Sequence, residues 1–450
     1  MTIRPQALAG VFLTAFPILS AQVTAQSPSS TLTTIQTFDV HNGSNPSAAV
    51  VMGSDGVLYG TTKGGGSPGS ALCGTVFSLT PPAGAPPGPA SAWTETVLHD
   101  FVCSDGQHPL APVAIGSGGV LYGTTNLGGT AGDGTVFALA PPASAGDAWT
   151  ETVLHNFTGG NDGASPAAGL TIADGGVLYG TTTYGGSGSC TAPPFPAGCG
   201  TVFELTPPAS PGDSWTETVV YSFPGDGGGL EPLGGVTIGS GGVLYGTTNG
   251  GRRHPGTVFS LTPPATAGGT WTPAVLHNFS FESTDGFNPE AGVVIGSGGV
   301  LYGTTTFGGT SQDGGAVFSV TPPASAGGAW TEAVIYNFTG LIATSDGWDP
   351  AAGLLIGSGG VLYGTTFRGG ASGFGTVFSL TPPASAGGSW TENTLYSFTG
   401  GSDGANPPGP VAFGSGPDGR PVFYGTAYLG GSTTGACPLN GCGTVFSLQR

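Results

Sequence analysis

Charged side chains are scarce in this 450-residue chain. Lys, Arg, Asp and Glu make up 7% of the residues, against about 25% in a typical globular protein. Seven of them are Lys or Arg and 25 are Asp or Glu, which gives a net charge of −18. Such an acidic surface repels nucleic-acid phosphates and anionic membranes. We therefore expect no nucleic-acid partner.

Long apolar runs are also missing after the N-terminus. The one apolar run, residues 7–21, follows Arg4 and is too short to cross a bilayer. The small residues that follow it, Val23-Thr24-Ala25, are typical of a signal-peptide cleavage site. The sequence predicts a signal peptide over residues 1–25, a single mature domain over residues 26–450, and no transmembrane segment after cleavage.

Helical periodicity is absent too, and a different repeat takes its place. A motif close to GGVLYGTT occurs seven times at intervals of about 61 residues. A GTVF motif (GAVF in the fifth copy) follows each one, and six copies continue through Pro-Pro to WTE or WTP. The tyrosines of the first motif are Tyr59, Tyr122, Tyr179, Tyr245, Tyr302, Tyr363 and Tyr424.

Each repeat contains four strand-like runs separated by turn residues, which is typical of one β-propeller blade. Seven copies predict an all-β, seven-bladed β-propeller of four-stranded blades. The C-terminal GTVFSLQR lacks a following WTE strand, whereas residues 31–39 align with that strand when Phe38 is placed on Phe157. We therefore expect residues 31–39 to complete the last blade and close the ring, which removes free sheet edges. A monomer is expected.

The LYGTT, GTVF and WTE framework of residues 31–450 resembles that of the GloVer tandem-repeat, or choice-of-anchor, proteins of bacteria. The resemblance implies a secreted protein, extracellular or periplasmic, and assigns no activity to particular residues. Members often carry a C-terminal sorting anchor, for which this sequence gives no support. The repeat is also similar to the propeller unit of pyrroloquinoline-quinone-type proteins, which implies a tryptophan packed over Gly123 and its six counterparts. The adjacent Cys-Cys pair and basic residues of a quinone site are not found, so no cofactor is expected.

The six cysteines are an even number in a chain predicted to be exported, where disulfides form. Two pairs each share one loop, and the remaining two cysteines lie in loops expected on the same face of the propeller. Zinc binding is the alternative, but a single pair approaches zinc-ligand spacing and no second pair follows it. We predict no metal and three disulfides: Cys73–Cys103, Cys190–Cys199 and Cys437–Cys442.

An Asp-Gly pair recurs in the loop that leads into each inner strand. The pattern predicts a ring of carboxylates near the channel mouth that would bind a cation or a glycan. The alternative is that each Asp caps a tight turn whose next residue must be Gly. Repetition favours this alternative because a binding site normally breaks symmetry. The aspartates are Asp105, Asp162, Asp226, Asp285, Asp346 and Asp403.

Basic residues do break the symmetry, and four of them lie in the loops between LYGTT and GTVF. These are Lys63, Arg252, Arg253 and Arg368, with His254 beside the arginine pair in GRRHPG. Variable loops on a rigid scaffold are where binding tends to occur. We predict that these residues contact a carboxylated sugar or an acidic peptide. The alternative is that they only offset the nearby aspartates.

Catalytic signatures are weak in this sequence. His99, His155 and His277 occupy a position that is tyrosine in three other copies, which indicates packing with a polar tip rather than a general base. The glutamates of WTE are spread around the rim, whereas glycosidase carboxylates lie within about 5–10 Å of each other. No GxSxG, HExxH or P-loop motif is found.

The sequence therefore favours a secreted, non-enzymatic binding or scaffold module for an extracellular glycan or protein. The alternative is a carbohydrate-active enzyme, a lyase or a glycosidase, with its site at the channel mouth. The two functions differ in whether polar side chains meet in one pocket. An enzyme would bring two or three carboxylates, or Arg252 and His254 with an aspartate, into one pocket with perturbed pKa values.

Overall fold

The computed structural model describes residues 30–67, 72–82, 93–144, 146–191, 194–210, 212–225, 227–251, 254–266, 268–281, 285–309, 314–325, 327–340, 346–385, 387–415, 421–431, 433, 437 and 440–449. Within these residues the strands form seven four-stranded antiparallel sheets and one two-stranded sheet. The seven sheets are the blades of a β-propeller, which confirms the predicted fold. The predicted signal peptide lies outside the described residues.

The strands fall into four classes by their position in a blade, counted outward from the central channel. The innermost strands are β2 (Val51–Met52), β6 (Ala114–Ile115), β10 (Thr171–Ile172), β14 (Thr237–Ile238), β19 (Val294–Ile295), β24 (Leu355–Ile356) and β28 (Ala412–Ser415). The second strands are β3 (Leu58–Thr62), β7 (Leu121–Thr125), β11 (Leu178–Thr182), β15 (Leu244–Thr248), β20 (Leu301–Thr305), β25 (Leu362–Thr366) and β29 (Pro421–Ala427). The third strands are β4 (Thr75–Thr80), β8 (Thr135–Ala140), β12 (Thr201–Thr206), β16 (Thr257–Thr262), β22 (Ala316–Thr321), β26 (Thr376–Thr381) and β30 (Thr444–Gln449). The outer strands are β1 (Thr31–Thr37), β5 (Thr94–Asp100), β9 (Thr150–Asn156), β13 (Thr216–Ser222), β17 (Thr272–Asn278), β23 (Thr331–Asn337) and β27 (Thr391–Ser397).

The ring closes through the N-terminal strand, as predicted. β1 pairs antiparallel with β30, with Thr31 opposite Gln449 and Thr37 opposite Thr444. The sheet order β1-β30-β29-β28 makes β1 the outer strand of the seventh blade. The chain's two ends thus share one sheet, and the last blade has no missing strand.

Phenylalanines form the core between neighbouring blades. The Phe that follows each outer strand packs edge-to-face on the GTVF phenylalanine of the next blade, with ring centroids 5.0–5.2 Å apart. All seven blade interfaces contain this pair, and edge-to-face geometry adds to the gain from burying the rings. The pairs are Phe38–Phe77, Phe101–Phe137, Phe157–Phe203, Phe223–Phe259, Phe279–Phe318, Phe338–Phe378 and Phe398–Phe446.

The glycine of LYGTT accommodates a phenylalanine ring, and the expected tryptophan contact is wrong. A Cβ built on Gly123 would collide with the ring of Phe137, the residue opposite it on the neighbouring strand of the same blade. Trp149 instead packs on Tyr59 of the preceding blade, with ring centroids 6.1 Å apart. A tyrosine ring can extend over the next blade, whereas the glycine beside it is already covered.

The threonines of LYGTT join the blades around the channel. The hydroxyl of Thr61 donates to the backbone carbonyl of Ala111 in the next blade at 3.0 Å. Thr426 of the seventh blade donates in the same way to Ala48 of the first, at 2.7 Å. Equivalent bonds occur at the other five interfaces. The repeated Thr is therefore a connector between blades.

All three predicted disulfides are present, with Cα atoms 5.1–5.5 Å apart. Disulfides of this kind are typical of proteins in oxidising compartments. Among the described residues, no helix is long and apolar enough to cross a membrane.

Candidate functional site at the loop face

One face of the propeller carries two sets of loops, and we call it the loop face. The first set joins an outer strand to the next inner strand, and the second joins LYGTT to GTVF. The two sets pair locally in most blades, for example at Ser44 and Gly64, Gln107 and Leu127, or Trp348 and Arg368. Because the blades hold both sets rigidly, differences in loop sequence become differences in surface chemistry.

The channel opens on this face into a cavity of about 520 Å³. Small and apolar residues line most of it, and Glu290 is the one ionisable side chain among the described residues that do so. Six copies of the repeat have an uncharged residue at the Glu290 position: Ser47, Leu110, Ala167, Leu233, Ala351 and Pro408. Glu290 therefore breaks the sevenfold symmetry at the channel mouth.

A second carboxylate, Asp349, acts on Glu290. Burial and, to a smaller extent, the charge of Asp349 raise the pKa of Glu290 to about 7. Burial also raises the pKa of Asp349 to about 6, although Arg368 opposes that shift. Two neighbouring carboxyl groups that titrate near neutrality are a recognised mark of a functional site.

Asp349 belongs to a ring of seven residues that each precede a proline and adopt φ values of 54–64°. This left-handed conformation favours Asn, and three members are asparagines whose amide donates to a backbone carbonyl of the preceding blade. Asp349 replaces that amide with a carboxylate, so it has no such donor to offer. The ring consists of Asn45, His108, Ser165, Glu231, Asn288, Asp349 and Asn406.

Arg368 and Trp348 lie directly beside Asp349. Arg368 Nε is 3.9 Å from Asp349 Oδ2, and its guanidinium carbon lies 5.5 Å from the centroid of the Trp348 ring. The Arg368 side chain is 52% exposed. A cation held over an indole and beside a carboxylate is positioned while much of it still faces solvent.

Aromatic side chains extend this cluster along the loops of the fifth blade. Phe287 and Phe307 lie opposite each other in β18 (Gly286–Phe287) and β21 (Phe307–Gly308), the two-stranded sheet. Phe307 is 37% exposed and Phe281, which packs on Phe287, is 51% exposed. We call Glu290, Trp348, Asp349, Arg368 and these three phenylalanines the acidic–aromatic sector. In it, the Trp348 ring lies beside the guanidinium of Arg368, and the phenylalanines lie in the loop that leads into the fifth blade and in the loop between its second and third strands.

The other predicted basic residues lie elsewhere on the loop face. Lys63 is in the first blade, and its charge adds to the burial of His108 in lowering the pKa of that histidine. His254 is exposed and lines a separate pocket of about 210 Å³ with Gly229 and Phe279. Arg252 and Arg253 lie outside the described residues. Of the basic residues predicted to bind, the structure places Arg368 beside Asp349. The ligand-binding role of each basic residue stays a prediction.

The repeated aspartates do not lie at the channel mouth, which corrects the sequence prediction. Asp105, Asp162, Asp285, Asp346 and Asp403 each accept a hydrogen bond from a backbone N–H earlier in their own loop. None of the five lines the cavity. They cap turns between neighbouring outer strands because a carboxylate followed by Gly satisfies such a turn. Asp226 lies outside the described residues, and a binding role for the others is untested.

Each aspartate meets two further groups that the sequence analysis treated separately. The His or Tyr of the preceding outer strand reaches the carboxylate: His99 Nε2 is 3.2 Å from Asp105 Oδ2, and Tyr396 Oη donates to Asp403 Oδ2 at 3.0 Å. These contacts agree with the interpretation of the His or Tyr position as a packing position whose polar end makes a hydrogen bond. Where the next blade has a WTE glutamate, that residue completes the groove, and we call each such set an inter-blade triad. The outer strand that follows Asp403 is β1, which has Leu32 at this position.

Most of the WTE glutamates have strongly raised pKa values. Burial raises the pKa of Glu95, Glu217, Glu332 and Glu392 to about 7. The charge of a nearby aspartate contributes to each of these raised pKa values, after burial. These carboxyl groups are therefore partly protonated at neutral pH in the folded protein.

We expect the protein to be less stable at about pH 7.5 than at about pH 5. In the unfolded chain these glutamates ionise near pH 4.5, whereas in the folded protein they ionise near pH 7. Between those values the folded state binds more protons than the unfolded state. The contribution of these glutamates to the free energy of unfolding is therefore fully present below about pH 4.5 and is lost as the pH rises through 7. Thermal unfolding across this range measures it.

Glu392→Gln provides the matched control for this pH dependence. Its groove contains Tyr336 and Asp346 rather than a histidine, so removing one raised carboxyl has a simple effect. The variant is expected to lose less stability between pH 5 and 7.5 than the natural chain. Equal slopes for both proteins, or a rise in stability with pH, would contradict the assignment.

The fold and site together define the class of protein: a closed seven-bladed β-propeller whose loop face carries one asymmetric polar and aromatic cluster. The chain belongs to the Gloeobacter/Verrucomicrobia repeat family, whose model matches residues 22–192 and 191–339. This confirms the resemblance drawn from the LYGTT, GTVF and WTE motifs. No curated protein matches the chain.

Solved structures that resemble this chain are distant from it. The aldose sugar dehydrogenase of Streptomyces coelicolor, in its PQQ-bound form, is 12% identical with a TM-score of 0.40, covering 81% of this chain and 97% of its own. PorZ of Porphyromonas gingivalis, a surface component of the type-IX secretion system, is 13% identical with a TM-score of 0.48, covering 92% of this chain and 47% of its own. A Trypanosoma rangeli sialidase is 12% identical with a TM-score of 0.39, covering 94% and 60%.

Proposed function

We propose that this protein is an exported binding module whose acidic–aromatic sector binds a neutral glycan. The observation that carries the proposal is the breaking of symmetry in one place. Glu290, Trp348 and Arg368 are each the only residue of their type at their position among the seven repeats. Asp349 lies beside them at a position where three other repeats have asparagine. Packing explains the repeated residues, so selection for binding is the simplest account of the ones that differ.

The chemistry of the sector fits a sugar. Partly exposed rings such as Trp348 and Phe307 offer apolar faces of the size of a pyranose, and aromatic side chains supply large contact areas at low entropic cost. Glu290, Asp349 and Arg368 supply hydrogen-bond acceptors and donors for hydroxyl groups. The net charge of −18 disfavours polyanionic ligands, which leaves neutral glycans.

Export is part of the same proposal. The N-terminal sequence is typical of a signal peptide, and the described chain contains three disulfides. A rigid, disulfide-bonded propeller with few charges suits an extracellular or periplasmic environment. We propose that residues 26–450 act there as one domain.

A glycan array with residues 26–450, followed by calorimetry on the best neutral oligosaccharide, tests the proposal. Trp348→Ala is expected to weaken binding about tenfold or more, as for a buried aromatic anchor. Alanine already occupies the equivalent position in the seventh blade, at Ala405, so folding should be preserved. Phe195→Ala is the matched control because Phe195 is an exposed ring on the loop of the third blade, outside the sector.

Two results would overturn the proposal. One is the absence of binding to any neutral glycan on the array. The other is equal weakening by Trp348→Ala and Phe195→Ala.

The second candidate, a carbohydrate-active enzyme, is favoured by one observation: the coupled pair Glu290 and Asp349. Cleavage of the bound glycan that stops in Glu290→Gln would establish that function in place of simple binding.

A further inference from the structure

Three grooves between outer strands contain a histidine and two carboxylates at equivalent positions. The His belongs to one outer strand, the Asp to the loop that follows it, and the Glu to the outer strand of the next blade. Imidazole and carboxylate groups are ligands for zinc and similar transition metals. The three inter-blade triads that contain a histidine are His99–Asp105–Glu151, His155–Asp162–Glu217 and His277–Asp285–Glu332.

Two of the triads bring their potential ligand atoms close together. In the His99 and His277 triads, one atom from each residue lies within 4.8 Å of the other two. His277 Nε2 is 3.4 Å from Asp285 Oδ2. Ligand atoms at about 2.0–2.2 Å from a tetrahedral zinc ion are roughly 3.3–3.6 Å apart. Small side-chain rotations would therefore produce a coordination shell.

The His277 triad also has several buried atoms without partners. His277 Nε2, Asp285 Oδ1 and Glu332 Oε1 are all buried, and none makes a hydrogen bond. Glu151 Oε1 of the His99 triad is likewise buried and unpaired. Buried polar atoms without partners are costly, so three of them in one groove require an explanation. A cation between them would satisfy all three.

In other grooves, side chains of the protein donate hydrogen bonds to one oxygen of a carboxylate. Tyr336 Oη donates to Asp346 Oδ2 at 3.1 Å. In the first groove, Gln36 and Asn42 both donate to Glu95 Oε2, at 2.9 and 2.7 Å. In the His277 groove, Asp285 Oδ2 accepts a hydrogen bond from the backbone N–H of Ser280, whereas Asp285 Oδ1 and Glu332 Oε1 accept none. Glu95 Oε1 in the first groove is also buried without a hydrogen bond, so the His277 groove differs in having one such atom on each of its three potential ligands.

We propose that the His277–Asp285–Glu332 and His99–Asp105–Glu151 triads each bind one divalent transition-metal ion of the zinc class. The imidazole excludes calcium and magnesium as preferred ions, since both favour all-oxygen sites. The side chains of His277 and Asp285 are 21% and 16% exposed, so water completes the coordination shell. The sequence predicted no metal, and no single repeat shows the three residues together because each triad spans two repeats.

Such an ion would cross-link adjacent blades at their outer edge. Because the ligands converge only when the propeller is closed, metal binding favours the folded state by mass action. Coordination also requires a deprotonated carboxylate, so metal affinity falls on acidification.

The test uses untagged, chelator-treated protein, residues 26–450, and zinc chloride as the probe. Calorimetry and elemental analysis after dialysis are expected to give two tightly held zinc ions per chain. His277→Tyr and His99→Tyr should each lose one ion, and the double variant should lose both. Tyrosine is the matched substitution because three other blades carry it at this position, as Tyr221, Tyr336 and Tyr396.

Two readouts separate specific sites from surface binding. Zinc should raise the melting temperature of the natural chain and should not raise that of the double variant, whose metal-free melting temperature shows that it folds. Glu392→Gln, in a tyrosine groove, should keep both ions. A third ion lost on His155→Tyr would support the proposal by adding the remaining triad. No tightly held zinc, or an unchanged stoichiometry in both single His→Tyr variants, would overturn it.

Discussion

Removal of residues 31–39 is expected to abolish the cooperative thermal unfolding of the protein. These residues supply β1, which pairs with β30 along its whole length. Ile35 and Phe38 are fully buried, and Phe38 packs on Phe77 of the first blade with ring centroids 5.0 Å apart. Without them the seventh blade exposes β30 as a free edge and loses its phenylalanine contact with the first blade. Ring closure, and the stability that depends on it, would be lost.

The measurement is a thermal melt followed by circular dichroism and by light scattering. A variant that begins at residue 30 controls for shortening the chain, because it retains β1. Phe38→Ala gives an intermediate test and is expected to cost about 3–5 kcal/mol, as for a large buried aromatic residue. A chain without residues 31–39 that melts at the same temperature, with the same cooperativity, would show that β1 does not close the ring.

The closure could be predicted because the missing strand keeps the repeat's local pattern. Phe38 aligned on Phe157, and both backbone N–H groups donate to the glycine before the facing third strand, Gly443 and Gly134, at 3.0 Å. β1 even has the register shift seen in the outer strands of the other blades. Seven repetitions of one local pattern left little freedom in blade number or strand order.

The contacts of the LYGTT glycine were wrongly predicted for a physical reason that the register reveals. Gly60 lies directly opposite Phe77 on the adjacent strand, and each equivalent pair has the same register. A cross-strand partner is the nearest side chain in a sheet, so it covers the glycine before a residue from another blade can. Strand pairing read from the repeats would have favoured phenylalanine over tryptophan.

The acidic–aromatic sector was only partly accessible to sequence reasoning. Arg368 was identified because basic residues are rare, but Glu290 and Asp349 were not distinguished from other acidic residues. Their signal was present as a departure from the repeat: Glu290 lies where other copies have small or apolar side chains. Asp349 lies where three copies have asparagine, although Glu231 is a second carboxylate at that position. Their coupling depends on two adjacent loops that are about 60 residues apart in the chain, which no single repeat shows.

Gly60→Ala is expected to destabilise the protein by about 1–3 kcal/mol, a typical cost of overpacking a core. A Cβ at Gly60 would lie 2.5 Å from Phe77 Cζ, and Phe77 is fully buried, so its ring cannot move aside into solvent. Chemical denaturation of purified protein measures the change. Gly401→Ala is the matched control, since Gly401 lies in a loop and its Cβ would meet no atom closer than 3.6 Å.

Phe77→Leu, combined with Gly60→Ala in a double-mutant cycle, identifies the contact responsible. Phe77→Leu alone removes part of the buried ring and should also destabilise the protein. In the Gly60→Ala background it should cost clearly less, because the smaller side chain leaves room for the new methyl group. Strictly additive effects would contradict a direct glycine–phenylalanine contact. Because the same pair recurs in every blade, the result would apply to the whole ring. The glycine in LYGTT leaves room on the second strand for the buried phenylalanine of the third strand.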